Sequence, residues 1–342
     1  MSQTRQREFY FQFHINRNCN LRCSHCYQGN YGTSKPGADI ALLQIGGHIL
    51  SALRKWNYLG RVALTGGEPF LCKSLWPLLD FFDSSDLVST LTILSNGTLI
   101  GEEQASQLTH FRKLREVQIS LDGAQSETHD NIRGEGSFSQ AVNGIHELKK
   151  AGIPVAIMFT LMPQNKTEAI NILELAKRER VEYVTVERVV PCQNAGMMTE
   201  LISPGELHEI YRAVHDWAEN QNGDSHKVTV RRRRPLWILL SEDAGGFCPA
   251  GFSSLAILED GTILPCRRME IPVGNALSDG GFFKAWYTSE VLWNLRRRTQ
   301  LGGHCGSCNY ASSCGGCRAV AYSTLGDYME GDPQCWLTQA MC

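Results

Sequence analysis

Two spacings of apolar residues alternate along the first half of the chain. Short runs rich in β-branched and aromatic residues cover Phe9–Ile15, Arg61–Thr65, Thr90–Ser95, Glu116–Leu121, Pro154–Thr160 and Tyr183–Val189. These read as strands. Between them lie stretches with apolar residues every third or fourth position. In residues 39–56, Leu42, Ile45, Ile49, Leu53 and Trp56 fall on one helical face. Further helices are predicted over Lys73–Phe82, Glu102–Phe111, Ser137–Ala151 and Lys166–Arg180. Ser137 opens one of them, and Gly152 followed by Pro154 stops it. Strand and helix in strict alternation predict a parallel sheet covered by helices. Right-handed crossovers curl such a sheet toward a barrel. Six βα units fall short of the eight that close a TIM barrel. The expected fold class is therefore α/β, a partial (β/α)6 TIM-like barrel with a lateral mouth. Its chemistry belongs at the C-terminal strand ends.

The pattern then weakens. Residues 193–247 read as a bridge, with a helix over Pro204–Asn220 capped by Ser203, a loop at Asn222–Ser225 and a basic run from Arg231 to Arg234. From Cys248 the chain becomes cysteine- and glycine-rich. A hairpin is predicted there, pairing Ser254–Leu258 with Thr262–Leu264 across Glu259-Asp260-Gly261. The expected division is a barrel over 1–192, a bridge over 193–247 and a small domain over 248–342.

Composition changes the picture at one point. The 342 residues are 42% hydrophobic and 20% charged, with a formal net charge of −2. That supports a sizeable core and gives no reason to expect nucleic acid as a partner. No apolar run suits a membrane span, and Met1–Glu8 lacks the apolar core of a signal peptide, so a cytoplasmic location is expected. Thirteen cysteines are many for such a protein. They cluster toward the two ends, which points to metal or cluster ligation rather than disulfides.

Cys19, Cys23 and Cys26 follow the first strand with three and two intervening residues. Three thiolates this close can grip three corners of a cubane iron–sulfur cluster and leave one iron open to a small molecule. A zinc loop is the alternative, but structural zinc wants a fourth ligand, and His25 between Cys23 and Cys26 is crowded. At the ends of later strands lie Thr65-Gly66-Gly67-Glu68-Pro69, Ser95-Asn96-Gly97 and Ser120-Leu121-Asp122-Gly123. His129-Asp130-Asn131-Ile132-Arg133-Gly134 comes next, and Glu187-Arg188-Val189-Val190-Pro191-Cys192 closes the series. Each taken singly also fits an ordinary turn or cap, and Asp122 suits a cap of the turn that follows it.

Together these motifs resemble the radical S-adenosylmethionine (radical SAM) enzymes. The resemblance implies that SAM chelates the open iron of a [4Fe-4S] cluster and is reductively cleaved to a 5′-deoxyadenosyl radical. It implies that the Thr65–Pro69 turn binds the SAM amino group. Asn96 and Ser120 would lie near its ribose or methionine part, and Arg133 would face its carboxylate. Tyr27, Ser95, Asp122 and Leu161 complete the implied cofactor site. Cys192 is expected in or beside the cavity, as a cluster ligand, a hydrogen-atom donor or a half-buried thiol.

The second cysteine group reads C-x12-G-x4-C, then C-x2-C-x5-C-x2-C, then C, as Cys248, Cys266, Cys305, Cys308, Cys314, Cys317 and Cys335. Seven thiols exceed one tetrahedral zinc site. The pattern is similar to the SPASM extension of radical SAM enzymes. Cys314-Gly315-Gly316-Cys317-Arg318-Ala319, Gly326-Asp327 and Asp332-Pro333-Gln334-Cys335 resemble the branch that matures pyrroloquinoline quinone and mycofactocin precursors and trims tetrapyrrole side chains. That implies two auxiliary Fe–S clusters, one on Cys305, Cys308, Cys314 and Cys335 and one on Cys248, Cys266 and Cys317 with an unnamed fourth ligand. Cys72 is expected to be packing, and Cys342 a frayed end. Anaerobic sulfatase maturases place an aspartate base after the cysteine matching Cys266. Here Arg267 and Arg268 stand there, and they suit an acidic substrate or lie on the surface.

The expected function is radical modification of a ribosomal peptide or protein side chain, with a reduced ferredoxin or flavodoxin as donor. The basic run is expected to be a solvated face or to steer such an acidic partner. Alternatives are radical removal of haem-type tetrapyrrole side chains, maturation of another cofactor, a non-enzymatic Fe–S electron carrier or scaffold, and a zinc-stapled binding module.

Overall fold

A computed structural model of the chain describes residues 7–28, 31, 38–191, 200–221 and 226–339. All six barrel strands form where the apolar alternation places them: β1 Glu8–His14, β2 Leu59–Thr65, β3 Val88–Ser95, β4 Leu114–Ser120, β5 Val155–Leu161 and β6 Tyr183–Arg188. Each pairs in parallel with the next. Helices α1 Ala38–Trp56, α2 Leu75–Asp83, α3 Glu102–Leu108, α4 Ser126–Arg133, α5 Ser137–Lys150 and α6 Ala169–Arg178 follow these strands.

The period of two decides what faces the barrel interior. In β1, Phe9, Phe11 and Phe13 are buried toward the helices, where Phe9 packs on Trp56 and Trp286. Tyr10 and Gln12 between them line the central cavity. Burying each phenylalanine contributes roughly 1.5–3 kcal/mol. The same alternation sends Gln118, Ser120, Thr160 and Glu187 inward while Val117, Ile119, Phe159 and Val186 join the core. The barrel is thus polar inside because the strands carry polar residues at alternate positions.

Two features of the sheet lie beyond the expected six strands. Within the bridge, after α7 (Pro204–Glu219), Thr229–Arg231 forms β7 and extends β6 in parallel. On the other edge β8 (Ser254–Ile257) pairs in parallel with β1, Tyr10 opposite Ser254, and leads antiparallel into β9 (Thr262–Leu264) and β10 (Gly274–Asn275). The order is β10-β9-β8-β1-β2-β3-β4-β5-β6-β7, one ten-stranded sheet. The cysteine-rich region is therefore welded to the barrel edge by its hairpin. Helices α8 Gly281–Thr288, α9 Glu290–Arg296, α10 Gly303–Gly306 and α11 Arg318–Leu325 complete it.

Ser203 caps α7 as expected, accepting from the Glu206 N–H while Glu206 reaches back to Ser203. The helix expected over Lys166–Arg180 begins with a 3-10 turn, Pro163–Glu168. Ser137 is the first residue of α5, with Gly136 as its cap. Cys72 is buried, its thiol 3.6 Å from the Ile15 carbonyl, in keeping with packing. Cys192, Cys342 and the Asn222–Ser225 loop lie outside the described residues. No described helix is long and apolar enough to cross a membrane.

Candidate functional site

The loop after β1 carries Cys19, Cys23 and Cys26 and is tied to the turn after β2. Asn16 Nδ2 donates to the Glu68 carbonyl (2.9 Å), Gly67 N–H donates to Asn16 Oδ1 (3.0 Å), and Glu68 N–H donates to the Asn18 carbonyl (2.7 Å). A Cβ on Gly67 would lie 2.1 Å from the Asn18 carbonyl oxygen, and Gly66 sits at φ +155° with its would-be Cβ 2.3 Å from Asn16 Oδ1. Both glycines are needed for two loops to touch, as well as for approach of a ligand.

The Glu68 side chain points away from the cavity. Its carboxylate accepts from Ser95 Oγ (2.8 Å), Phe70 N–H (3.2 Å) and Asn96 N–H (2.8 Å), while burial pushes its pKa up to about 7. It fixes the end of β3, so that Asn96 Nδ2 reaches Cys19 Sγ (3.8 Å) and Asn20 Oδ1 (2.9 Å). Arg133, in the last turn of α4, is held by Nε to Asp122 Oδ2 (2.6 Å) and points Nη1 at Cys23 Sγ (3.7 Å). Asp122 does not cap α4. It accepts from Arg133 and from the Thr160 N–H (2.9 Å), and it stays charged.

Backbone N–H groups two residues on complete the sulfur contacts. Leu21 N–H donates to Cys19 Sγ (3.5 Å), Gln28 N–H to Cys26 Sγ (3.4 Å) and Tyr310 N–H to Cys308 Sγ (3.4 Å). Such donors suit anionic thiolates bound to iron and tune the potential of a cluster. Without metal, burial pushes the Cys23 and Cys335 thiols up to about 11, so loading a cluster displaces protons. His25 Nε2 faces Asp122 Oδ2 (3.4 Å), and burial lowers its pKa to about 4. Among the described residues no three His, Cys, Asp or Glu side chains converge on a point for a single metal ion.

One cavity of about 310 Å³ opens at the C-terminal strand ends. Cys19, Cys23 and Cys26 lie on one wall, and Cys248, Cys266 and Cys317 on another. Of the expected SAM residues, Tyr27, Thr65, Gly66, Gly67, Ser95, Asn96, Ser120 and Arg133 line it. Glu68, Pro69, Asp122 and Leu161 stand behind that lining; all four are buried. Cys305, Cys308, Cys314 and Cys335 surround a separate small pocket, where Leu236 N–H donates to Cys314 Sγ (3.3 Å). The cysteines of the two auxiliary groups thus line two different pockets.

Arg267 is buried on the cavity wall, its guanidinium 4.7 Å from the Tyr27 ring centre and 2.7 Å from Glu270. Arg268 pairs with Glu187 (2.7 Å). The surface alternative for this pair is set aside. Three members of the basic run are held in ion pairs: Arg231 pairs with Glu116, Arg232 with the exposed Glu219 (2.8 Å) and Arg234 with Glu187. Arg233 is the most exposed of the four; the other three are held in ion pairs, although the Arg234 side chain keeps 41% of its surface accessible. Sequence reasoning missed the buried pairs that join distant segments, above all Arg188 with Asp332. Their signal was Glu187-Arg188, two charges closing an otherwise half-apolar strand.

Comparison with known proteins decides the family. Residues 13–176 match the radical SAM superfamily, and residues 248–318 match the SPASM iron–sulfur cluster-binding domain. Mycofactocin maturase MftC of Mycobacterium tuberculosis is 31% identical over 333 residues, 93% of this chain and 80% of that protein. This chain belongs to the radical SAM superfamily. It is an enzyme of that family with a SPASM domain, and its cofactors are [4Fe-4S] clusters and SAM. The AdoMet-dependent heme synthase of Methanosarcina barkeri is 29% identical over 337 residues, 93% of each chain. Among solved structures, anSMEcpe with bound AdoMet aligns with TM-score 0.73 at 19% identity, covering 97% of this chain and 94% of that one. Streptococcus suis SuiB bound to S-adenosylmethionine gives 0.72 at 17%, covering 97% and 76%. These likenesses establish the partial barrel fold.

Proposed function

We propose that this radical SAM enzyme is a maturase that modifies a side chain of a ribosomal peptide or protein. The observation that carries the reading is the single cavity shared by Cys19/Cys23/Cys26 and Cys248/Cys266/Cys317. Cys19, Cys23 and Cys26 hold the [4Fe-4S] cluster whose fourth iron takes SAM. When bound and reduced, that pair supplies the 5′-deoxyadenosyl radical. The protein's part is placement and dryness. Asn96 and Arg133 contact two of the sulfurs, and Gly66 and Gly67 on the cavity lining would receive the SAM amino group. Arg133 would offer its one free edge to the SAM carboxylate. Arg267, stacked on Tyr27, closes the wall beside them and faces the substrate.

Cys248, Cys266 and Cys317 hold an inner auxiliary cluster within reach of substrate. Cys305, Cys308, Cys314 and Cys335 hold an outer one, and a reduced ferredoxin or flavodoxin is the donor. Peptide as substrate is supported by MftC and by the sporulation killing factor maturation protein SkfB of Bacillus subtilis, 28% identical over 277 residues. A second reading, radical trimming of a haem-type tetrapyrrole, is favoured by the full-length likeness to the heme synthase.

Anaerobic protein given reductant and SAM is expected to release 5′-deoxyadenosine. A Cys23→Ala variant that still releases it refutes the chemistry. Saturable tetrapyrrole binding with no response to any candidate peptide decides for the second reading.

A further inference from the structure

The two auxiliary cysteine groups meet at one buried carboxylate. Asp332 is fully buried between α11 and Cys335. Its Oδ2 accepts the backbone N–H of Cys317 at 2.7 Å, and its own backbone N–H donates to Cys305 Sγ at 3.4 Å. Cys317 lies on the wall of the large cavity, while Cys305 lies in the outer pocket. One residue therefore touches both groups.

A second contact runs alongside. Gly316 sits at φ +60°, and a Cβ there would lie 2.7 Å from Asp332 Cβ and 3.3 Å from Cys305 Sγ. The left-handed backbone leading into Cys317 leaves no room for a side chain between Arg318, Asp332 and the Cys305 sulfur, which glycine permits.

Arg188 fixes the carboxylate from the barrel side. Its Nη1 donates to Asp332 Oδ1 (3.0 Å) and Gln334 Oε1 (3.0 Å), and its Nη2 donates to Asp332 Oδ2 (2.8 Å). A buried ion pair adds little net stability over an apolar pair of the same volume. Fold stability alone does not call for a buried aspartate that accepts four hydrogen bonds at this point. Arg188 closes β6 on the cavity wall, so a continuous polar path runs from the substrate cavity through Asp332 to the outer pocket.

We propose that Asp332 is the hydrogen-bonded bridge through which electrons pass between the inner and outer auxiliary centres. In that step one iron–sulfur centre loses one electron and the other gains it. No covalent bond at Asp332 forms or breaks, and no proton moves. The bridge rests on the cysteine assignment proposed above and adds to it the contact that couples the two groups.

The test uses the anaerobic holoprotein mixed with reduced flavodoxin, a one-electron donor too large to enter the cavity. Rapid-freeze EPR follows the inner and outer centres separately. Asp332→Ala removes the acceptor of the Cys317 N–H and is expected to slow electron equilibration between the two centres several-fold, with iron content unchanged. Asp332→Asn keeps an oxygen in that place and is expected to equilibrate at the wild-type rate. Should Asp332→Ala shed iron, Asp332→Leu combined with Arg188→Met exchanges the pair for apolar groups and is expected to show the same slowing. Wild-type equilibration in an acceptor-less variant with full iron, or slowing in Asp332→Asn, overturns the bridge. A wild-type holoprotein with iron for one cluster alone instead overturns the cysteine assignment.

Discussion

Arg133 offers a direct test of how the barrel end holds SAM. Its Nε is spent on Asp122 (2.6 Å), and one Nη1 hydrogen is directed at Cys23 Sγ (3.7 Å). The guanidinium thus has one edge left for the cavity, which on the proposed reading would give SAM one charge-assisted contact and not a second independent fork. Such a contact is worth about 1.5–3 kcal/mol, so Arg133→Gln is expected to weaken SAM binding roughly 10- to 150-fold. The same substitution strands Asp122, which is buried without another full cation, at a cost of about 3–5 kcal/mol in stability. Arg133→Gln with Asp122→Asn removes both charges and is expected to recover much of the stability but none of the SAM affinity. Calorimetric SAM titration of iron-replete protein separates the two effects, with thermal unfolding as the second measurement. Affinity within twofold of wild type in Arg133→Gln, at equal iron content, refutes the reasoning.

Three further outcomes follow from the geometry. Gly67→Ala drives a methyl into the Asn18 carbonyl and is expected to cost the N-terminal cluster, lowering iron by about a third of the roughly 12 atoms of three cubanes; Gly47→Ala, on an open face of α1, serves as the control and should keep all of it. Cys72→Ala is expected to leave the iron content unchanged, and loss of a cluster would contradict its packing role. His129 is buried and its pKa lowered to about 4, first by burial and then by Arg133. Because the folded pKa lies below the unfolded value, its contribution is full above about pH 6.5 and is lost as pH falls toward 4. That amounts to on the order of 3 kcal/mol. His129→Asn should flatten this part of the stability–pH curve, measured by denaturant unfolding, and an unchanged slope would contradict the assignment.

The barrel was readable because its signals are local. Phe9, Phe11 and Phe13 alternate with Tyr10 and Gln12, and that pattern alone names the strand and the face that meets the cavity. The cysteine spacings are local too, and the structure places the two groups at two pockets. What escaped depends on pairing across long separations. Ser254–Ile257 was legible as half of a hairpin, but nothing nearby says that Ser254 sits opposite Tyr10. β7 has three residues, too few for a periodicity. The basic run looked solvated because Glu116 and Glu187, the partners of Arg231 and Arg234, lie far from it in the sequence. Arg188 and Asp332 are separated by most of half the chain, and only the folded sheet brings them together.

The central claim is that Cys19, Cys23 and Cys26 hold a cubane cluster with one iron open to SAM. Low-temperature EPR of the reduced holoprotein, recorded with and without SAM, tests it most directly. The expected result is a [4Fe-4S] signal that shifts on adding SAM in the wild type and is missing, together with its SAM response, in Cys23→Ala. A wild-type signal indifferent to SAM, or one that survives unchanged in Cys23→Ala, contradicts the claim.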